Sequence, residues 1–362
     1  MASFNSQRKI KLWLAGAKRR KIGNSRKRKA QLLSNLSILL IILVFGGTIT
    51  AFATIFLVSR KLPSPTKLTE REVSQSTKIF ARNGDLLYEV FGDQRRTLVT
   101  LDDIPDYLKN ATIAVEDAEF YQHKGFYLLG WVRAIYNMAR GRGLQGASTI
   151  SQQLVKNTLL TPERTISRKI KEFVLALEIE RRYGKDEILQ MYLNEAPYGG
   201  QAWGVGAASE MYFGKHVRDL DLAESALLAG LPQSPTRYSP WGSEPENAKN
   251  RQSYVLHLMV KAGFLTSEQS DEAKAEELYF LPPGQNIKAP HFVMYVKQKL
   301  VDTFGEKMVE QGGLRVWTTL DLGKQVIAEE EVKFQLDRLK KANANASNAG
   351  LIAINPQTGE IL

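Results

Sequence analysis

The rhythm of apolar and polar positions changes several times along this chain. From Leu36 to Val58 there is no alternation: 23 consecutive residues carry no charge. As a helix they would extend about 34 Å at roughly 1.5 Å per residue, enough to cross a hydrocarbon core of about 30 Å. The uncharged stretch runs from Ala30 to Ser59. It is longer than the apolar core of about 7 to 15 residues in a cleaved signal peptide, so a single transmembrane helix is expected over 30–59. Residues 60–78, with Pro63 and Pro65, read as a stalk. Beyond them Asn83-Gly84 separates two short apolar runs, Ile79–Ala81 and Leu86–Val90, which predicts a β-hairpin.

From Ile104 the spacing becomes helical. Ile104, Leu108, Ala111, Val115 and Ala118 recur at three and four, and so do Ile166, Ile170, Phe173, Val174 and Leu177. Thr161-Pro162-Glu163 offers an N-cap, a first-turn proline and an early acid for the second of these. Gly184 ends it, Lys185–Leu193 starts another, and Leu220–Leu231 and Asn247–Ala262 add two more. The glycine bend Tyr198-Gly199-Gly200 is the main interruption. A mainly α domain over 79–265 follows, then a linker region over 266–312 containing Pro282-Pro283-Gly284. Gly313–Asp321 then reads as a strand, Lys324–Lys341 as a helix and Gly350–Leu362 as a hairpin, the incomplete start of a second domain over 313–362.

Charge sharpens this picture. Of 49 Lys and Arg, 11 fall in residues 1–29, which leaves 38 to balance 38 Asp and Glu. The net charge of +11 is thus a property of the basic tail. The positive-inside bias keeps that tail cytoplasmic and places everything after Val58 on the outer face. Nucleic acid is not the expected partner, because a polybasic segment beside a membrane helix meets anionic lipid more simply. The absence of cysteine removes disulfides, thiolate zinc sites and a cysteine nucleophile.

Three polar blocks can carry chemistry. In the first, Glu116, Asp117, Phe120, His123 and Gly125, the glutamate follows an apolar helix face. It reads either as a partly buried base of raised pKa or as a solvated surface acid. The second, Gly146 to Asn157, combines Ser148, Thr149, Gln152, Gln153 and Lys156, with Arg164 beyond. Those donors and cations suit a diphosphate, while an ordinary helix capped by Ser148 would use the same residues. In the third, Arg168 and Lys169 stand at i,i+4 and i,i+3 from Glu172. They form either a surface ion-pair ladder or a second carboxylate held among cations. Gly141 to Gly146 spells G-x-G-x-x-G, but it follows a helical pattern and the P-loop lysine position is Ala147, so it reads as a loop over a site.

These blocks, with Lys185–Asn194 and Leu228–Pro232 after them, resemble the motifs of the peptidoglycan glycosyltransferase domain of family 51, over about Leu101 to Pro240. That domain occurs in class A penicillin-binding proteins and in monofunctional glycosyltransferases. The resemblance implies a lysozyme-like, mainly α fold and polymerisation of lipid II into β-1,4 glycan strands, with release of undecaprenyl diphosphate. It implies Glu116 as the base that deprotonates the acceptor 4-hydroxyl. Glu172 would support the departing diphosphate, directly or through a divalent cation such as Mg or Mn, with no organic cofactor. Asp117, Phe120, His123, Ser148, Thr149, Gln152, Lys156, Arg164, Arg168, Lys169 and Asn194 would bind or shape the substrate site, with Lys185 and Tyr192 in the fourth motif.

Leu314–Asp321 and Ala353–Leu362 resemble the opening of an α/β transpeptidase domain, cut at its start. Ser-x-x-Lys occurs only at Ser6–Lys9 and Ser64–Lys67, in the tail and stalk, so transpeptidation is not expected of this chain. The expected partners are lipid II, the growing glycan, the bacterial cytoplasmic membrane and other cell-wall proteins. A muramidase or lytic transglycosylase is the rival enzyme, and an anchored cell-wall scaffold the non-enzymatic alternative.

Overall fold

The computed structural model describes residues 31, 34–50, 53, 56–57, 62–66, 68, 73–126, 148–161, 163, 165–284 and 287–362. The chain divides into two compact units, Met1–Leu62 and Pro63–Leu362. In the first, residues 34–50 are helical and expose Leu36, Ile38, Leu39, Leu40, Ile41 and their successors. Thr48 and Thr50 turn their hydroxyls back onto carbonyls of the preceding turn, at 2.6 Å to Val44 and 2.8 Å to Gly46, so neither leaves a bare donor on the apolar surface. Among the described residues no helix is long and apolar enough to cross a membrane. The expected span at 30–59 is described only in part, and the basic tail lies outside the described residues.

The second unit begins with a three-stranded sheet. Strands β1 (Thr77–Phe80) and β2 (Leu86–Val90) pair antiparallel about the Asn83-Gly84 turn, where Gly84 has φ 91° and the Asn83 Oδ1 accepts from the Asp85 amide. β1 buries Thr77 and Ile79 more deeply than Lys78 and Phe80, the period of two that a strand imposes. The short strand β3 (Arg95–Arg96) enters another sheet. The mainly helical body follows: α1 (Asp106–Glu116), α2 (Ile150–Thr158), α3 (Ile166–Arg182) and α4 (Lys185–Glu195). A short β4–β5 hairpin (Pro197–Gly199 and Ala202–Trp203) pairs with β3, then come α5 (Val205–Phe213), α6 (Leu222–Gly230) and α7 (Glu246–Lys261).

Helix α6 is the centre of this body. Seven of its nine positions are apolar or glycine, and from Ala223 to Gly230 every residue is buried, as expected of a helix with neighbours on all sides. A capping box starts it: the Asp221 carboxylate accepts from the Glu224 amide at 2.8 Å and Glu224 returns onto the Asp221 amide at 3.2 Å. Helices α1 and α7 both pack on α6 and on each other, while α2 packs on α3 and α4.

Several expectations are corrected here. The cap of α3 is Thr165, whose hydroxyl accepts from the Arg168 amide, because Thr161 lies outside the helix. Residues 266–312 contain helices rather than extended linker: α8 (Ser267–Ala275), α9 (Pro290–Phe304) and α10 (Glu306–Gln311). Strand β6 (Arg315–Trp317) runs parallel to β1 in the first sheet, Lys78 opposite Arg315, so the segment read as the start of another domain is built onto the N-terminal hairpin. Ile79, Leu87 and Val90 share one apolar cluster with Val293, Val309 and Leu320. α11 (Leu322–Lys341) follows, and the last hairpin is reduced to a single bridge, Ile354 with Ile361.

Asn194, expected at the substrate, instead spends its amide on the backbone. Its Oδ1 accepts from the Val99 amide at 3.0 Å, and its Nδ2 donates to Val99 O at 2.9 Å and Gln190 O at 3.0 Å. That pairing fastens the segment before α1 to the end of α4. Replacing Asn194 with Ala strands both polar groups of Val99 and is expected to cost about 2 to 4 kcal/mol in denaturant unfolding. An Asn194→Ala protein of unchanged stability would show that the amide acts elsewhere.

Candidate active site

Glu116 is the last residue of α1. Its Oε2 accepts a 2.6 Å hydrogen bond from Gln153 Nε2 on α2. Its Oε1 is shut off from solvent and has no hydrogen-bond partner. Burial pushes the Glu116 carboxyl above its ordinary range. The Gln153 hydrogen bond and the charges of Arg251 and Lys156 pull it back, and Asp117 adds to the rise. The buried hydroxyls of Tyr192 and Tyr198 also lack partners, and burial together with the Glu116 charge lifts both far above the usual phenol value. A carboxylate in this state binds a proton readily and keeps one oxygen open to accept it.

The remainder of the first block builds the support. The buried Asp117 carboxylate takes the His123 ring at 2.9 Å and the Ile150 amide at 3.0 Å, so it joins the end of α1 to the first amide of α2. Thr149, not Ser148, caps α2: its hydroxyl accepts from the Gln152 amide and donates to Gly125 O at 3.0 Å. Gln152 Nε2 reaches the same carbonyl at 3.5 Å. Gly125 has φ +76° and sits so close to α3 that a Cβ there would lie 3.0 Å from Ala176 O. Phe120 is buried beneath Lys185, whose ammonium is 4.4 Å from the ring centroid and ion-paired with Glu180 at 2.8 Å. Asp117, His123, Thr149 and Gln152 therefore spend polar groups on one another and on backbone, while Phe120 packs beneath Lys185.

The third block forms the other wall. Glu172 is buried, and both its oxygens are taken, one by Arg168 and the other by Lys169 at 2.9 Å. Lys169 also donates to Ser148 Oγ at 2.7 Å, which ties α3 to the residue just before the cap of α2. Lys156 differs from these cations. It makes no hydrogen bond or ion pair with any described residue, yet it is in electrostatic reach of both Glu172 and Glu116. Partial desolvation lowers its ammonium despite a side chain that reaches solvent, and Arg168 and Lys169 add to the fall while the two glutamates oppose it. Arg164 and the Gly141–Gly146 loop lie outside the described residues.

A divalent cation does not fit this donor set. The Glu172 oxygens are already neutralised by two cations, and no group of three or more His, Asp or Glu among the described residues forms a metal cage.

Of the contributors to the Glu116 environment, Gln153 belongs to the second block and Arg251 lies outside every block. Gln153 was legible in principle, since it stands three residues before Lys156 on the same helix. Arg251 was not, because it lies in a polar run of α7 far along the chain, and α7 meets α1 only on folding.

Residues 83–260 match the family model described as Transglycosylase. The chain is 40% identical over 303 residues to penicillin-binding protein 1A of Aquifex aeolicus, covering 83% of this chain and 41% of that protein. It is 36% identical to penicillin-binding protein 1A of Vibrio cholerae, covering 82% of this chain and 36% of that protein. The crystal structure of penicillin-binding protein 1A from Haemophilus influenzae is similar at 24% identity and a TM-score of 0.41, covering 79% of this chain and 32% of that one. The chain spans about two fifths of the length of the curated relatives it matches.

Gln153→Met removes the one hydrogen bond that favours ionised Glu116, so the Glu116 carboxyl should titrate at higher pH than in the unmodified protein. Carboxyl-carbon NMR with labelled glutamate reads this directly, and an unchanged or lower titration would contradict the assignment.

Proposed function

We propose that this chain polymerises lipid II by inverting glycosyl transfer, with Glu116 as the base; the match of residues 83–260 to the Transglycosylase family model and the similarity to penicillin-binding protein 1A support this reading. The observation that carries this reading is the contrast between the two glutamates. Glu116 is buried with one oxygen open, while Glu172 is saturated by Arg168 and Lys169.

In the proposed step the acceptor 4-hydroxyl attacks the anomeric carbon of the donor sugar and its proton passes to Glu116. The bond from that carbon to the diphosphate breaks, and the electron pair leaves on the phosphate oxygen. A diphosphate departs without a proton if cations receive it, so the reaction needs one base and several Lys or Arg rather than a second acid. Lys156 is the uncommitted cation for that task, and Glu172 acts by holding Arg168 and Lys169 beside Ser148. Arg164 completes the set by its place in the sequence.

The finer architecture belongs to the same proposal. The helical body is lysozyme-like, the uncharged 30–59 run anchors it in the bacterial cytoplasmic membrane, and the basic tail stays cytoplasmic. Enzyme and lipid-linked substrate then share one membrane, which raises their effective concentration. The growing glycan and other cell-wall synthesis proteins are the partners this placement allows.

A raised glutamic acid also suits a lytic transglycosylase or muramidase, which requires a protonated acid. That reading leaves Lys156, Arg168 and Lys169 without a task.

Glu116→Gln should lower polymerisation of purified lipid II by about 10² to 10⁴-fold, and full activity in that variant would sink the proposal. Release of soluble muropeptides from finished peptidoglycan, with lipid II untouched, would select the lytic reading. Since a base works only when ionised, activity should fall as pH drops through the raised titration of Glu116. The acid limb should therefore lie above the ordinary carboxylate range.

A further inference from the structure

Arg251 on α7 is only 8% exposed, yet it makes no ion pair with any described residue. Its Nε donates to the Gly230 carbonyl at 3.0 Å, at the end of α6. Its guanidinium carbon lies 5.2 Å from the Tyr238 ring centroid and 5.3 Å from that of Tyr254. A Cβ on Gly230 would meet its Cγ at 2.8 Å, so the stem is confined as well. These contacts fix the stem, one nitrogen and the flanks of the fork, and they leave Nη1 and Nη2. Neither makes a hydrogen bond with a described residue, and neither is sealed from solvent. Burying a cation without an anion is costly, and two rings and one carbonyl offset only part of that cost.

A second cation stands at the same ring. The Arg237 guanidinium carbon is 5.8 Å from the Tyr238 centroid, and this exposed side chain also makes no ion pair with any described residue. Arg95, Arg96, Arg168 and Arg182, by contrast, each meet a carboxylate. Tyr254 is 50% exposed and Tyr238 partly so, which sets the cluster at the surface of the helical body. Two guanidiniums about one phenol ring, with no carboxylate bound to either, leave their positive charge for an anion from outside the fold. A confined guanidinium with both Nη groups free is pre-organised to receive a carboxylate through two parallel hydrogen bonds. The cluster also lies apart in the packing from the cations of the second and third blocks. α7 packs on α6, α1 and α8, whereas Lys156, Arg168 and Lys169 stand on α2 and α3, which pack on each other.

We propose that Arg251, with Arg237, Tyr238 and Tyr254, forms a binding site for a carboxylate carried by the substrate, separate from the cations that receive the diphosphate. The identity of the substrate rests on the lipid II reading, while the affinity for a carboxylate does not. Besides its diphosphate, the acidic groups of lipid II are carboxylates of its peptide. One of them, held by the Arg251 fork, anchors the peptide-bearing side of the substrate while the diphosphate meets Lys156, so the site governs which substrate binds.

The test uses the full chain with isotope-labelled arginine, and the Arg251 Nε resonance is assigned by its loss in Arg251→Lys. Sodium acetate, exchanged for sodium chloride at constant ionic strength, should shift that resonance and saturate, and inorganic phosphate should shift it less. No saturable shift with acetate would overturn the site and leave Arg251 as a cap on the end of α6. Tighter binding of phosphate than of acetate would overturn the carboxylate assignment. Polymerisation is then compared between lipid II with free peptide carboxylates and lipid II with those groups amidated. In the unmodified protein amidation should raise KM about tenfold, and Arg251→Gln should remove the difference between the two substrates whatever its overall rate. Equal KM values in the unmodified protein would overturn the substrate assignment. If Arg251→Gln does not fold, Arg237→Gln at the exposed position should weaken acetate binding, and an unchanged affinity there counts against the proposal. The acetate titration needs no turnover, so an inactive protein that still binds acetate refutes the function and supports the site.

Discussion

The Asp117 carboxylate is the junction on which the site depends. Helix α1 ends at Glu116 and α2 begins at Ile150, two elements separated by more than thirty residues of sequence. Asp117 binds the first amide of α2 and the His123 ring at once, so a buried negative charge is met by an N-H donor at a helix start and by an aromatic N-H. With that joint made, the register of α2 brings Gln153 onto Glu116 and sets Lys156 within reach of both glutamates. Gly125 and Thr149 lock the same end of α2 against α3, where only a glycine at positive φ leaves room for the Ala176 carbonyl.

The two glutamates show how environment divides labour between identical side chains. Glu116 is surrounded by a neutral amide, two tyrosine hydroxyls and cations that do not touch it, so burial dominates and its affinity for a proton rises. Glu172 is more deeply buried but bound on both oxygens, and it holds Arg168 and Lys169. Among the described residues this leaves the Glu116 Oε1 without a hydrogen bond and the Lys156 ammonium without an ion pair, the two within electrostatic reach of each other. Those are the two ends of a transfer in which a proton is taken from the nucleophile and negative charge builds on the leaving group.

Much of the fold was legible in periodicity. The hairpin about Asn83-Gly84 and the helices α1, α3, α4, α6 and α7 are readable because their apolar spacing is local and needs no partner to be recognised, whereas α5 is not. The ends were less legible: Thr165 rather than Thr161 caps α3, because a cap is decided by which hydroxyl the first free amide can reach. Asn194 reads as a ligand from its place in a motif, and its satisfied amide becomes visible only when Val99 is placed beside it.

The sequence by itself determined the helical character, the uncharged run over 30–59, the confinement of net charge to the tail, and the chemical types available in each block. Those follow from local composition and from spacings of two, three and four residues. The tertiary structure decided which carboxylate stays open, which is saturated, and that β6 joins β1 in one sheet across more than two hundred residues. Burial and charge act through space, and a distance between helices that meet only on folding has no counterpart in the linear order of the chain.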